Sequence, residues 1–289
     1  LKTVIFFITG GIGKNIAATA VLKAIKKKYS DRKIIVFCTY PDIFKNNPLV
    51  HIVQGPNQIL SPNNIYYNFI KDNDVIYLAE DVYSSHQFLI QDKHWIHAWC
   101  ECLGLEYNQE MPEIYFSEEE TKNILNHKKE RPILVLQTKA TNSKDYNWTT
   151  DIPHEIIQDV INDFSPKYDI YHIHNKAQKG FLNSSSVTTN NLREILFLIK
   201  ISDKRLGVNS FMQHAAAALN LSSLIYWVFT PCKKYGYNIH HNIEPKDYDF
   251  EYYKNFEFFR GHVGYPDISN CKLNLDDLFV KEKIINNLS

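Results

Sequence analysis

The stretch that most constrains this chain is 203–231, DKRLGVNSFMQHAAAALNLSSLIYWVFTP. It reads as a strand at Arg205–Val208, a turn at Asn209 and Ser210, an Ala-rich helix at Phe211–Leu219 and a second apolar strand at Leu224–Phe229, closed by Thr230 and Pro231. A βαβ unit of this kind sets backbone N–H groups and the positive end of a helix dipole at the carboxyl edge of a parallel sheet. An anion is stabilised there, so a phosphate-bearing ligand is expected. His214 falls about one turn inside the helix, within reach of the same ligand. The four alanines from Ala215 to Ala218 let the helix lie close to its sheet, and alanine is the best helix former.

The start of the chain follows the same grammar. Val4–Ile8 is a continuous apolar run, as a strand buried on both faces requires. Thr9 to Asn15 then turns into a helix expected from Ile16 to about Lys28, and Ile34–Cys38 is the next buried strand. Lys26, Lys27 and Lys28 sit in the last helical turn, where cations complement the carbonyl end; this is preferred to a nucleic-acid patch. The glycine turn, Gly10, Gly11 and Gly13, fails two phosphate motifs. A P-loop ending in Gly13-Lys14 needs glycine at 8 and Ser or Thr at 15, but the residues are Ile8 and Asn15; the third glycine of a dinucleotide fingerprint is Ile16. What remains is a turn that lets a ligand approach backbone, or a tight turn without one.

Further along, Leu49–Val53 and Asp74–Ala79 read as strands, and Glu80 and Asp81 fall at the carboxyl end of the latter, where a general base would sit. The alternative is an ordinary solvated pair of loop carboxylates. An amphipathic helix is expected between His86 and Leu103, stopped by Gly104, with His94 and His97 as packing residues. Ser117 before Glu118, Glu119 and Glu120 looks like the cap of a polar helix reaching about Lys129, and Arg131-Pro132 breaks the pattern. The boundary is therefore placed here: 1–130 as one domain, 131–270 as a second, and 271–289 as a terminal helix that would pack back on the first. After the strand beginning at Ile133 comes a loop, 137–148, rich in donors suited to a diphosphate, including Lys139 and Lys144. Ile156–Phe164 and Leu192–Ile201 read as helices and Asp169–Ile173 as a strand. The aromatic segments Tyr235–Asn242 and Tyr248–Phe259 would stack on a base or sugar, or cover the sheet edge.

Composition narrows the class. With 289 residues, 44% of them hydrophobic, the chain can bury a large core, and about 150 residues per domain suggests two domains. Lys+Arg and Asp+Glu each total 32, so no global charge marks a nucleic-acid or membrane protein. Five cysteines form no disulfide framework and fit a reducing compartment. Cys100 and Cys102 lack a second pair at zinc spacing, and His240-His241 lacks a carboxylate partner, so no metal site is expected. No run approaches the ~18 apolar residues of a membrane span, and a cytoplasmic protein is expected.

These residues resemble glycosyltransferase family 9, the heptosyltransferase-like enzymes of the two-domain GT-B fold. One part of the likeness is Gly207-x-Asn209-Ser210-x-x-x-His214-x-Ala216-Ala217-Ala218-Leu219, against the family's Gly-x-Asp-Ser-x-x-x-His-x-Ala-Ala-Ala-Leu, with Thr230-Pro231 where the family has a Gly-Pro-Thr turn. The other is the start: strand, Gly-x-Gly turn, Ala-Thr-Ala helix, second strand and Asn47-Pro48-x-Val50 in the family's order. The resemblance implies an α/β fold of the GT-B type, two Rossmann-like doubly wound domains whose parallel sheets face a central cleft. It implies inverting, metal-independent transfer of a sugar from a nucleotide-diphosphate sugar, a co-substrate held by the C-terminal domain, to a hydroxyl acceptor held by the N-terminal domain, with no other cofactor. Asn209, Ser210, His214 and Thr230 would then line the donor diphosphate, assisted by Lys139, Lys144 and Trp148, the last at the family's tryptophan.

Two positions depart from the family. Its aspartate after the glycine turn, assigned as the base, is Lys14 here, and its aspartate before the serine is Asn209. A lysine acts as a base only with a lowered pKa but readily binds phosphate. The base is then sought at Asp81, Glu80 or His86, with Lys14 itself kept among the catalytic candidates. The family's lysine two residues before its tryptophan is Tyr146 here, leaving Lys144 or Lys139 as substitutes. A viral-type glycosyltransferase acting on modified nucleic-acid bases, which the neutral charge does not favour, and a catalytically silent nucleotide-sugar binding protein are the alternatives.

Overall fold

Each early apolar run becomes a parallel strand, because a strand buried on both faces leaves its neighbours no room for polar side chains. The structure, a computed structural model, describes residues 2–56, 66–71, 73–127, 129–140, 150–175, 178, 180–188, 191–227, 230–244 and 284–288. The chain divides into two compact units, Leu1–Glu119 and Glu120–Ser289.

In the first unit, β1 (Lys2–Ile8), β2 (Lys33–Cys38), β3 (Ile52–Gln54) and β4 (Asp74–Leu78) form a parallel sheet in the order β3-β2-β1-β4. Val4 lies opposite Ile34 on one side and Ile76 on the other, so β1 is central. Helix α1 (Ile12–Lys28) is buried from Lys14 through Leu22, which its alanines allow. The lysines of its last turn are absorbed locally: Lys26 Nζ donates to Ser30 O at 2.6 Å, Lys28 Nζ donates to Gly104 O at 2.7 Å, and Lys27 pairs with Glu106 at 3.1 Å. The helix begins a turn earlier than expected, so Gly13 stands inside it rather than in a loop.

The amphipathic segment between His86 and Leu103 is two helices rather than one, α2 (His86–Leu89) and α3 (Trp95–Cys102). Asp92 between them takes φ 54°, a left-handed backbone that ends a helix. Phe88 and Trp99 are buried, and Trp99 packs on Phe6 of β1 at 5.6 Å between ring centroids. The polar helix α4 (Glu118–Asn126) straddles the division, so the second unit starts before the Arg131-Pro132 break. The physical tie is electrostatic: Arg193 grips Glu120 at 2.6 Å, and Lys129 pairs with Asp203 at 2.9 Å.

The second unit carries β5 (Ile133–Gln137), α5 (His154–Phe164), β6 (Asp169–Ile173), β7 (Ser185–Val187), α6 (Leu192–Ile201), β8 (Lys204–Val208), α7 (Phe211–Ala218), β9 (Leu224–Tyr226), α8 (Cys232–Tyr235) and β10 (His241–Ile243). All pairings are parallel, in the order β10-β9-β8-β5-β6-β7. This is the doubly wound arrangement with its switch point between β5 and β8. One face of the sheet (Leu134, Leu136, Leu206, Val208) packs on Ile157, Val160 and Ile161 of α5 and on Ile284 and Leu288 near the C-terminus. Of the terminal helix expected over 271–289 only 284–288 is described, and the aromatic segment 248–259 lies outside the described residues. Among the described residues no helix is long and apolar enough to cross a membrane.

Candidate functional site

Each sheet changes winding direction at one place, and several of the residues expected to serve a site stand there. In the first unit that place lies between β1 and β4. Gly10, two residues after β1, has φ 96°, and a Cβ there would lie 3.2 Å from Lys14 Cδ. Glycine is thus required for the turn and for the path of the lysine. Gly11 caps α1 with extended backbone, and Asn15 locks the turn, donating from Nδ2 to Gly11 O at 2.9 Å and accepting from Tyr40 N after β2.

Lys14, in the first turn of α1, is only 5% exposed. Its ammonium crosses the switch point to Asp81 Oδ2 at 2.9 Å, and it lies over the rings of Tyr83 at 5.1 Å and Trp99 at 5.4 Å. Desolvation is thereby offset by one carboxylate and two aromatic faces. The other carboxylate oxygen of Asp81 accepts from Tyr83 N at 2.9 Å. Glu80 is exposed and its Oε2 accepts from Ala79 N. His86 is exposed at the first position of α2, and among the described residues its side chain joins neither Lys14 nor Asp81. Cys102, beside this group, has its thiol pushed up to about 11 by burial, with Glu80 and Asp81 adding to the rise, so it is no nucleophile at neutral pH.

In the second unit the switch point joins Gln137-Thr138-Lys139 to Asn209-Ser210. Ser210 is the cap residue of α7 but supplies no side-chain hydrogen bond. Gln137 does so from the neighbouring strand: its Oε1 accepts from Met212 N at 3.0 Å. Asn209 Oδ1 accepts from Gln213 Nε2 at 2.7 Å, which occupies the position where the resembled family carries a carboxylate. His214 is 4% exposed and its Nδ1 is hydrogen-bonded to Tyr237 Oη at 2.9 Å with the rings at 86°. His240 donates from Nε2 to Gln213 O, and burial holds its pKa down at about 4. Thr230 is half-buried just before α8.

One carboxylate gathers the described residues that follow β5 and precede α5. Asp151, fully buried, accepts from Ala140 N at 3.3 Å and from Thr150 Oγ1 at 2.9 Å, and Lys139 Nζ stands 3.8 Å away. Lys144 and Trp148, expected to serve the same ligand, lie outside the described residues. Thr138 Oγ1 bonds His172 Nε2, and burial, with His174, His154 and Lys139 nearby, pushes His172 down to about 3.

Sequence reasoning did not single out Gln137, Asp151, His172 or Tyr237; Gln137 opened its donor-rich segment 137–148 and Tyr237 lay in its aromatic segment 235–242, and the other two gave no signal. Among the described residues no group of three or more His, Cys, Asp or Glu is placed to hold a metal ion.

Comparison with known proteins gives the architecture its name. The chain superposes on the glycosyltransferase family 9 structure from Veillonella parvula DSM 2008 with a TM-score of 0.68, at 12% identity, over 99% of this chain and 95% of the other. It has the GT-B fold of that family. Two E. coli structures agree: ADP-heptose lps heptosyltransferase II, TM-score 0.59 at 12% identity over 83% of this chain and 90% of the other, and heptosyltransferase WaaC with ADP, TM-score 0.58 at 12% identity over 97% and 99%. No family model and no curated protein matches the sequence. At such low identity the GT-B likeness is one of backbone, and the side chains at the two switch points are this chain's own.

Proposed function

We propose that the chain is a glycosyltransferase that takes its sugar from a nucleotide-diphosphate donor held on the second unit and passes it, with inversion and without a metal, to a hydroxyl acceptor on the first. The observation that carries this reading is the β5–β8 switch point, where α7 turns its N-terminus to the carboxyl edge of the sheet within a GT-B fold. In the E. coli relative the ligand is ADP, which favours a nucleoside diphosphate here.

The chemistry suits the residues. As the bond from the anomeric carbon to the diphosphate breaks, negative charge grows on the leaving oxygens. First-turn N–H groups of α7, the Ser210 hydroxyl, His214, Thr230 and the ammonium of Lys139 stabilise that charge more in the transition state than before it. On the first unit Asp81 is the base that takes the acceptor proton, with Glu80 beside it. Lys14 lies within hydrogen-bond reach of Asp81 and holds that carboxylate in place.

The test is a thermal-shift and turnover panel of ADP-, UDP-, GDP- and CMP-sugars. One nucleotide series should raise the melting temperature, and one of its sugars should be slowly hydrolysed or transferred, with Asp81→Asn abolishing turnover but not binding. Binding of a nucleotide-sugar with no turnover, and no response to Asp81→Asn, would make the chain a silent binder instead.

A further inference from the structure

We propose that Tyr237 is a positioning residue that sets the tautomer of His214, placing the ring proton on Nε2 as a donor to a diphosphate. The inference rests on the donor reading above for its ligand, but its first half stands on geometry alone. His214 and Tyr237 are both buried, at 4% each, and Nδ1 meets the phenol oxygen at 2.9 Å. A phenol is a good proton donor and a poor acceptor, so the O–H points to Nδ1, and a neutral imidazole then carries its proton on Nε2. A diphosphate accepts hydrogen bonds and donates none at neutral pH, so only this tautomer serves it.

The surroundings hold Tyr237 for that task. Gly236 is needed where the chain leaves α8, because a Cβ there would lie 2.6 Å from Cys232 O and 3.0 Å from Trp227 Cζ2. The Tyr237 carbonyl accepts from His240 N at 3.1 Å and from Asn242 Nδ2 at 3.2 Å, and Asn242 Oδ1 in turn accepts from Trp227 Nε1 at 2.8 Å. His240 closes the ring back onto α7 through Gln213 O. The aromatic segment at 235–242 therefore braces the imidazole of His214.

The experiment has two readouts. Nitrogen-15 NMR of the histidine rings at pH 7.5, with His214 assigned by its loss in His214→Gln, should show the Nε2–H tautomer in the ligand-free protein and a mixture in Tyr237→Phe. Titration with ADP, GDP and UDP should show about a tenfold weaker affinity in Tyr237→Phe for whichever binds, the loss of one charge-assisted hydrogen bond's worth. In His214→Gln, whose amide nitrogen donates without a tautomer to set, adding Tyr237→Phe should change the affinity little. An Nδ1–H tautomer in the wild type, or an unchanged tautomer in Tyr237→Phe, overturns the proposal. An Nε2–H tautomer in a protein that binds none of the three nucleotides overturns the donor reading and the ligand half, and leaves the positioning by Tyr237 standing.

Discussion

The Lys14–Asp81 pair is asymmetric, and the asymmetry has consequences. Lys14 is 5% exposed while the Asp81 side chain is 44% exposed, so each partner suffers differently when the other is lost. Asp81→Ala leaves a buried ammonium with, among the described residues, ring faces for company, and should cost about 2–3 kcal/mol, below the usual buried-pair figure because water reaches the site. Lys14→Met removes the desolvated charge and leaves a hydrated carboxylate, so stability should change by about 1 kcal/mol or less. Urea unfolding of the two variants checks the order, and a turnover assay should find both inactive. Gly10→Ala strains a backbone at φ 96° and presses on the Lys14 stem, and should cost about 1–3 kcal/mol. Comparing the cost of Gly10→Ala in the wild type with its cost in a Lys14→Ala background, which lacks the Cδ it would press on, would show how much is contact and how much is backbone.

At the scale of elements, α7 is capped from another strand. Ser210 leaves the helix uncapped, and Gln137, 7% exposed on β5, supplies the missing acceptor. Gln137→Leu keeps the volume but orphans Met212 N, and should destabilise by about 1–3 kcal/mol in denaturant unfolding. Gly207 brings α7 against β8, since a Cβ there would stand 2.5 Å from Met212 Cε. Because that atom is the end of a flexible side chain, Gly207→Ala/Met212→Leu should recover most of what Gly207→Ala loses. Asp151 works at the same scale by joining Ala140 and Thr150 just ahead of α5. The sequence offered no sign of this, because one aspartate in a polar loop looks like any other.

For the molecule as a whole, acid sensitivity follows from its buried histidines. His172 and His240 are held to about 3 and about 4, chiefly by burial, against about 6.5 when unfolded. The unfolded chain therefore binds more protons than the folded one between those values, so unfolding free energy rises with pH across that window. Their contribution is complete above about pH 6.5 and is lost as pH falls toward 3. His172→Gln should flatten the acid limb of a stability-pH curve while leaving its slope near pH 7–8 unchanged. A limb as steep as wild type would mean that His172 is already protonated in the native state.

The sequence by itself determined the doubly wound α/β class, the strand-turn-helix at each switch point and the GT-B likeness, because continuous apolar runs, glycine turns and an Ala-rich helix are local signals. It also brought Lys14 and Asp81 forward separately, one as a departure from the family and one as a carboxylate at a strand end. Only the tertiary structure joined them, because they stand 67 positions apart and their meeting depends on β4 pairing beside β1. The same holds for Gln137 with Met212, and for Tyr237 with His214. The ion pairs from Glu120 to Arg193 and from Lys129 to Asp203 likewise join residues far apart along the chain. Periodicity and turn chemistry act over a few residues, whereas hydrogen bonds and charges are satisfied by whatever the packed strands bring alongside.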